Sequence, residues 1–539
     1  MKKDSFIGGA LIATLGIIIV KIIGVIYVIP FNALIGAKGG ALYGYGYNVY
    51  ALFLSASSAG FPFAVSKLTS EYLALGNKAH VTQVYKVSRN IIFLLSIIMF
   101  LLLFGFATPI AKLIAVSGTG GNTVEDISLI LRVVSLAILI IPFLSVTRGF
   151  LQGHKIISPG SISQIIEQIV RVTVILGGCY LALKVFSWGL TPAVAISVFA
   201  AFIGGMCALL YLQTKLHRSN LLTKKKADEK IDYKVIAKSL FIYAIPYVII
   251  SIISNLYETT DMIIVQRTLS DILHVDVLTT ETISSVFTIW GGKFNSIILA
   301  LVVGLTTSLT PNIVSSYTKG NLKDVGSKIS KSLEYVFFLI VPLTLFISIF
   351  SKQLWTMFYG ANKIGPSVYK YFVFYALFGG VFTILVNVLQ SLSKYKEVII
   401  SIFIGLIFNL IFDAPFILLF NTLGLQPAGG AVICGIIGYS ISIIYALIIL
   451  NNKYNIKIHQ SVVKIKKYIP NWIIFLLITV VIRLFIPGGL TGRLMQMVIL
   501  VVSGLISFGI YFVLCYITGT LDKKTIDQIK NKFTSKLAK

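Results

Sequence analysis

Acidic residues are scarce in this chain, with 19 Asp and Glu against 46 Lys and Arg in 539 residues. So few carboxylates leave little material for paired acid–base chemistry or an acidic metal cluster. The four cysteines, Cys179, Cys207, Cys434 and Cys515, stand singly inside apolar runs, which excludes a disulfide framework or a thiolate metal site. The five histidines are scattered as well. No G-x-x-x-x-G-K-[ST] stretch occurs, so a phosphate-loop nucleotide hydrolase is excluded.

Hydrophobic residues make up 57% of the sequence, above what soluble domains carry. Runs of about 20 apolar residues, each able to cross ~30 Å of hydrocarbon as a helix, recur along the chain. They predict about 14 transmembrane helices in an all-α integral membrane protein. The predicted spans are 8–36, 42–75, 89–114, 126–152, 159–185, 190–214, 236–267, 282–311, 331–351, 367–391, 397–421, 427–451, 469–487 and 493–518. A break is expected near Gly60 and Pro62. The first run lacks a small-residue cleavage site and reads as a retained anchor.

The net charge of +27 sits in alternate short loops and not on one folded surface. Lys78, Lys86 and Arg89, then "KLHRSNLLTKKKADEK", then Lys319 to Lys331, then "KYNIKIHQSVVKIKK" and the tail from Lys523 mark one side. Lys38, Lys112, Lys184, Lys352, Lys363 and Arg493 are sparse on the other. This pattern predicts a multi-pass membrane protein with both termini cytoplasmic and basic loops against anionic lipid headgroups. Nucleic acid is not an expected partner.

Two stretches recur at nearly one offset. "AGFPFAVSKLTSEYLALGNK" matches "TSLTPNIVSSYTKGNLK" in its Pro, Tyr and Gly-Asn, and "RGFLQGHK" matches "VNVLQSLSKYK". Such self-similarity predicts two pseudo-symmetric six-helix lobes. The expected organisation is 1–218 for the first lobe, 219–235 for a basic linker, and 236–452 for the second lobe. Two further spans occupy 453–518, and a basic tail 519–539.

Ionisable side chains inside spans normally face partners or water. Lys21 and Lys293 have no acidic residue three or four positions away on their own helices, so each needs an anion or a partner elsewhere. In "SQIIEQIVRVTVIL", Gln164, Glu167, Gln168 and Arg171 form one stripe on a 3.6-residue helix, with Glu167 and Arg171 spaced for an i, i+4 pair. Arg148 reads as an anchor at a span end. Glu258, Asp261, Asn255 and Asp413 are candidates for ion coupling, although Asp413 beside Pro415 also reads as the cap of a broken helix. Tyr43, Tyr45, Tyr47 and Tyr50 read as an interfacial belt, with sugar stacking as the alternative. Asp271, Asp276 and Glu281 read as scattered acids of the outer face.

With "VKIIGVIYVIPFNALIGAKGGALYGYGYNVYALF", "RGFLQGHKIISPGSISQIIEQIVR" and "LTTSLTPNIVSSYTKGN", the chain closely resembles one branch of the multidrug/oligosaccharidyl-lipid/polysaccharide (MOP) exporter superfamily. That branch is its polysaccharide transporters, and the likeness is to the Gram-positive lipid II flippases of the MurJ and SpoVB type. The resemblance implies the MOP flippase fold and a transporter, not an enzyme, carrying an undecaprenyl-diphosphate-linked glycan outward by alternating access. It implies a place in the bacterial plasma membrane, that Lys21, in "VKIIG", and Lys293 line a central cavity and meet the diphosphate, and that the last two spans take the prenyl tail; Arg171 is the candidate that would help the two lysines attract the diphosphate. Gly24 to Val28 carries no second basic residue, a departure from Gram-negative members that leaves the remaining phosphate ligands open. No cofactor is expected beyond the membrane potential or a coupled proton or sodium ion, and the cell-wall synthesis machinery is the expected protein partner. Export of another polysaccharide unit, drug or cation antiport, and glycan polymerisation are the alternatives.

Overall fold

The computed structural model describes residues 16, 19–116, 120–219, 221–222, 233–487 and 492–520. Among these, every regular element is helical. Thirteen of the helices are long and apolar enough to cross a membrane. The first expected span lies partly outside the described residues, as do most of the 219–235 linker and the 519–539 tail.

Most spans fall where hydropathy places them, but their ends are set by polar chemistry that hydropathy does not see. The helix Lys78–Gly105 begins well before its apolar stretch because the Asn77 side chain accepts a hydrogen bond from the His80 N–H at 3.1 Å. Leu322–Ile349 begins in the same way, with Asn321 accepting from the Asp324 N–H at 3.0 Å. Each cap follows a glycine of positive φ, Gly76 at 74° and Gly320 at 72°. The second recurring stretch is likewise repeated in backbone. Lys155 and Ser393 take φ of 61° and 58° just past their helix ends, and the next N–H groups, Ile156 and Lys394, donate back to Leu151 and Leu389 at 3.0 and 2.8 Å.

The first two expected spans are separated by a single residue. Gly36, at φ 62° and ψ −162°, interrupts the helix Val28–Ser58 with a conformation that side-chain-bearing residues avoid. The break expected near Gly60 and Pro62 is present, and Phe61–Ala74 follows with Pro62 in its first turn.

Packing groups the chain into two compact units, Met1–Lys293 with Leu406–Cys434, and Phe294–Gly405 with Gly435–Lys539. These units follow contacts and not sequence self-similarity, so their limits differ from 1–218 and 236–452. The core of the first unit joins Phe61, Val84, Leu144, Phe150, Leu212 and Leu240. In the second, the last two spans dock on Leu322–Ile349 through an aromatic cluster of Phe338, Phe346, Tyr468, Phe475 and Tyr511. Tyr511 donates its hydroxyl to the Phe338 carbonyl at 3.0 Å, and Asn471 donates to Thr518 Oγ1 at 2.9 Å.

Candidate functional site

Every candidate residue named above lies in the first unit. On the helix Ser158–Tyr180, Glu167 and Arg171 form the expected pair, Nη2 to Oε1 at 2.8 Å. The reading of Arg148 as a membrane anchor is overturned. It reaches inward from the helix Ile141–Gly153, its Nη2 donating to the other oxygen of Glu167 at 3.0 Å and its Nε to Ser163 Oγ at 2.8 Å. Two cations on one carboxylate leave the network with a net positive charge. Arg171 Nε has no hydrogen-bond partner among the described residues, and its electrostatic neighbours beyond Glu167 include Arg148, Tyr43, Tyr47 and Tyr50. One flank is closed, since a Cβ on Gly204 would lie 2.7 Å from the Glu167 carbonyl oxygen.

The segment carrying Lys21 runs along the same helix. Gly16 faces Ser161, and a Cβ on Gly24 would sit 3.5 Å from Gln168 Nε2. Gln168 is thereby placed against the first span, and Gln164 is half-buried one turn earlier on that helix. Lys21 is exposed, and no ion pair to it occurs among the described residues. Its charged and polar neighbours are Lys293 and Tyr47. Lys293 is half-buried, with Nζ 5.4 Å from the centre of the Tyr27 ring, a cation–π distance. The two lysines, far apart in sequence, therefore share one region, walled by tyrosines and bordered by the arginine pair.

The tyrosines are not an interfacial belt. Tyr43, Tyr45 and Tyr50 are 5%, 0% and 3% exposed because glycines on their helix let neighbours come close. Trp290 lies against Gly40, Thr288 against Gly44 and Ile130 against Gly46. Tyr47 is the half-buried member, stacked on Tyr43 with ring centres 5.8 Å apart and 11° between planes, and it neighbours both Lys21 and Arg171. Its place beside two cations was not legible from a Tyr-rich run, whose composition equally suits a lipid interface.

Of the acidic candidates, Asp261 and Asp413 are neighbours, and Asn409, one turn before Asp413 on its helix, donates Nδ2 to Asp261 Oδ1 at 2.8 Å while its Oδ1 accepts from Tyr257 at 3.0 Å. Asp413 is fully buried with Asp261 and Cys434 as polar neighbours, and neither of its oxygens has a hydrogen-bond partner among the described residues. It caps nothing, since the helix Tyr395–Thr422 runs on through Pro415. Asn255 stays apart by donating to its own helix at the Ser251 carbonyl, 2.8 Å, and Glu258, although exposed, has Asp261 as its charged neighbour. Among the described residues no group of three or more His, Cys, Asp or Glu could hold a metal.

Comparison with known proteins bears on this arrangement. The family model for "Polysaccharide biosynthesis protein" matches residues 6–302. The chain is 30% identical over 536 residues to the lipid II flippase MurJ of Bacillus subtilis (strain 168), covering 97% of each. It is 28% identical over 212 residues to the Stage V sporulation protein B of the same organism, covering 39% of each. Among solved structures, a lipid II flippase MurJ in an inward closed conformation superimposes with TM-score 0.61 at 18% identity, covering 93% of this chain and 99% of that one. An inward-facing multidrug resistance MATE family transporter of the MOP superfamily gives 0.62 at 14%, covering 80% and 95%.

Proposed function

Because the chain belongs to the polysaccharide biosynthesis protein family, in the MurJ-type branch of the MOP superfamily, we propose that it is a flippase for an undecaprenyl-diphosphate-linked glycan, lipid II. Its relatives supply the cargo class, and the cluster of Lys21, Lys293 and the Arg148–Glu167–Arg171 network supplies the chemistry. That cluster is the observation that carries the reading. Ammonium groups held as neighbours repel each other, and a diphosphate between them relieves the repulsion while trading its headgroup water for charged donors. A cationic drug would meet the opposite field, which disfavours antiport of that class.

The headgroup travels from the cytoplasmic to the outer leaflet by alternating access, with both termini cytoplasmic as the basic loops direct. No bond is made or broken. An inside-negative potential assists an outgoing anion by about 2.3 kcal/mol per charge per 100 mV. The set formed by buried Tyr257, Asn409 and Asp413 with half-buried Asp261 is where a proton or sodium ion would couple to that movement. Two unpartnered carboxylate oxygens beside a second carboxylate are costly inside a membrane unless a cation or proton joins them.

The test is depletion of the protein in its native cell, with leaflet-resolved measurement of lipid II. Accumulation on the cytoplasmic side is the expected result, and unchanged distribution with a different prenyl-linked glycan trapped inside would reassign the cargo.

A further inference from the structure

Glu281 does not behave as a scattered surface acid. It lies inside the helix Val277–Ser285 and is 2% exposed. Its Oε1 accepts the backbone N–H of Asn122 at 2.5 Å. The Asn122 side chain in turn donates to the Lys38 carbonyl at 3.1 Å, and Lys38 Nζ donates to the Gly120 carbonyl at 2.8 Å. Three segments distant in sequence are thus tied at one end of the unit by four groups. By the charge pattern, that end is the outer one.

Around this knot the buried surface is polar and poorly satisfied. Glu281 Oε2, Asn122 Oδ1 and Thr280 Oγ1 have no hydrogen-bond partner among the described residues, Tyr45 Oη lies beside Ser284 and Gln266 without full hydrogen-bond geometry to either, and each of these residues is at least nine-tenths buried. A permanent core rarely leaves so many polar atoms unanswered. A surface that separates and rewets has reason to, because a polar group exposed by opening gains water. Beside the polar patch runs a seam of small residues, with Gly121 under Val277 and Gly44 under Thr288, whose side chains slide past glycine without disengaging bulky knobs.

We infer that Glu281 is the latch of the outer closure: its capture of the Asn122 N–H holds the outer end shut over a polar patch ready to hydrate when the latch lets go. The inference rests on the alternating-access reading above and deepens it by naming the contact that must break. Glu281 acts on the closure and not on the cargo, so it is a positioning residue.

The test reads opening directly and does not depend on measuring cargo movement. In a chain whose four native cysteines are replaced, Ser284→Cys is exposed to a membrane-impermeant maleimide from the outer side of intact cells, and labelling of position 284 is followed by peptide mass spectrometry. Glu281→Ala is expected to raise the labelling rate about tenfold, the ratio produced by leaving one buried N–H without its acceptor. Glu281→Gln keeps a carbonyl acceptor for Asn122 and is expected to stay close to the parent. Equal rates in the parent and Glu281→Ala would overturn the latch. Should Glu281→Ala fail to fold, a Gly121→Cys, Val277→Cys staple formed by oxidation with Glu281 intact decides the matter. Labelling at 284 is expected to fall and to recover with reductant, whereas unaltered labelling would again overturn it. A chain that shows this labelling pattern but moves no lipid II in liposomes would lose the proposed cargo and keep the latch.

Discussion

Arg148 and Arg171 reach the same carboxylate from different helices, one on each oxygen of Glu167. Neither arginine can be understood alone, because each is held in a part-buried place by the acid they share. Glu167→Ala strands two cations at once and is expected to lower stability by about 2 to 4 kcal/mol, toward the lower end of buried-pair losses because 16–19% of the three side chains remains exposed. Thermal unfolding in detergent measures this. Combining it with Arg148→Met should recover part of the loss, and strict additivity would mean that the network does not act as a unit.

Lys21→Ala and Lys293→Ala are each expected to cut lipid II flipping in proteoliposomes by about tenfold or more, the scale of a lost charge-assisted contact, while folding normally. Lys-to-Arg replacements at the same places should retain most of the rate. Wild-type flipping in both alanine variants would remove the two lysines from the site.

Tyr47→Phe and Tyr47→Ala separate hydroxyl from ring. If the stacked ring organises the space between Lys21 and Arg171, flipping survives the first change and falls in the second, with Tyr43 losing its stacking partner. The comparison is made on initial rates at matched protein content.

Asp413→Asn removes a charge from a place with no exposure and no hydrogen-bond partner for either oxygen. The variant is expected to be as stable as the parent or more so, and to lose any dependence of flipping on the sodium or proton gradient. Parallel assays with each gradient collapsed measure it. A parent indifferent to both gradients would leave the membrane potential as the drive.

Gly44→Ala places a methyl 2.0 Å from Thr288 Oγ1 and 2.5 Å from its Cβ. Overpacking of this kind should cost about 1 to 3 kcal/mol. Thr288→Gly in the same chain should return most of it, read by the same unfolding measurement.

Much of the fold could be read in advance, because a bilayer forces apolar length and loop charge onto the sequence. Helix ends were less legible. Asn77 and Asn321 start helices several residues before the hydropathy rises, and a cap is one side chain, not a window average. At the site, Glu167–Arg171 was visible because its partners share a helix. Arg148 on Glu167, Asp261 beside Asp413 and Asn409, and Glu281 on Asn122 join residues from separate helices and loops, and no local spacing announces such meetings.

The turn built on Gly76 and Asn77 and its counterpart on Gly320 and Asn321 share backbone angles and cap donors, although the helices that leave them, Lys78–Gly105 and Leu322–Ile349, have few residues in common. Joints, then, have outlasted the rods between them. In a duplicated membrane chain whose halves have drifted beyond recognition, ancestry is better traced by aligning these short elbows than by matching one greasy segment with another, since any apolar residue satisfies lipid but few residues satisfy a left-handed turn followed by a capping amide.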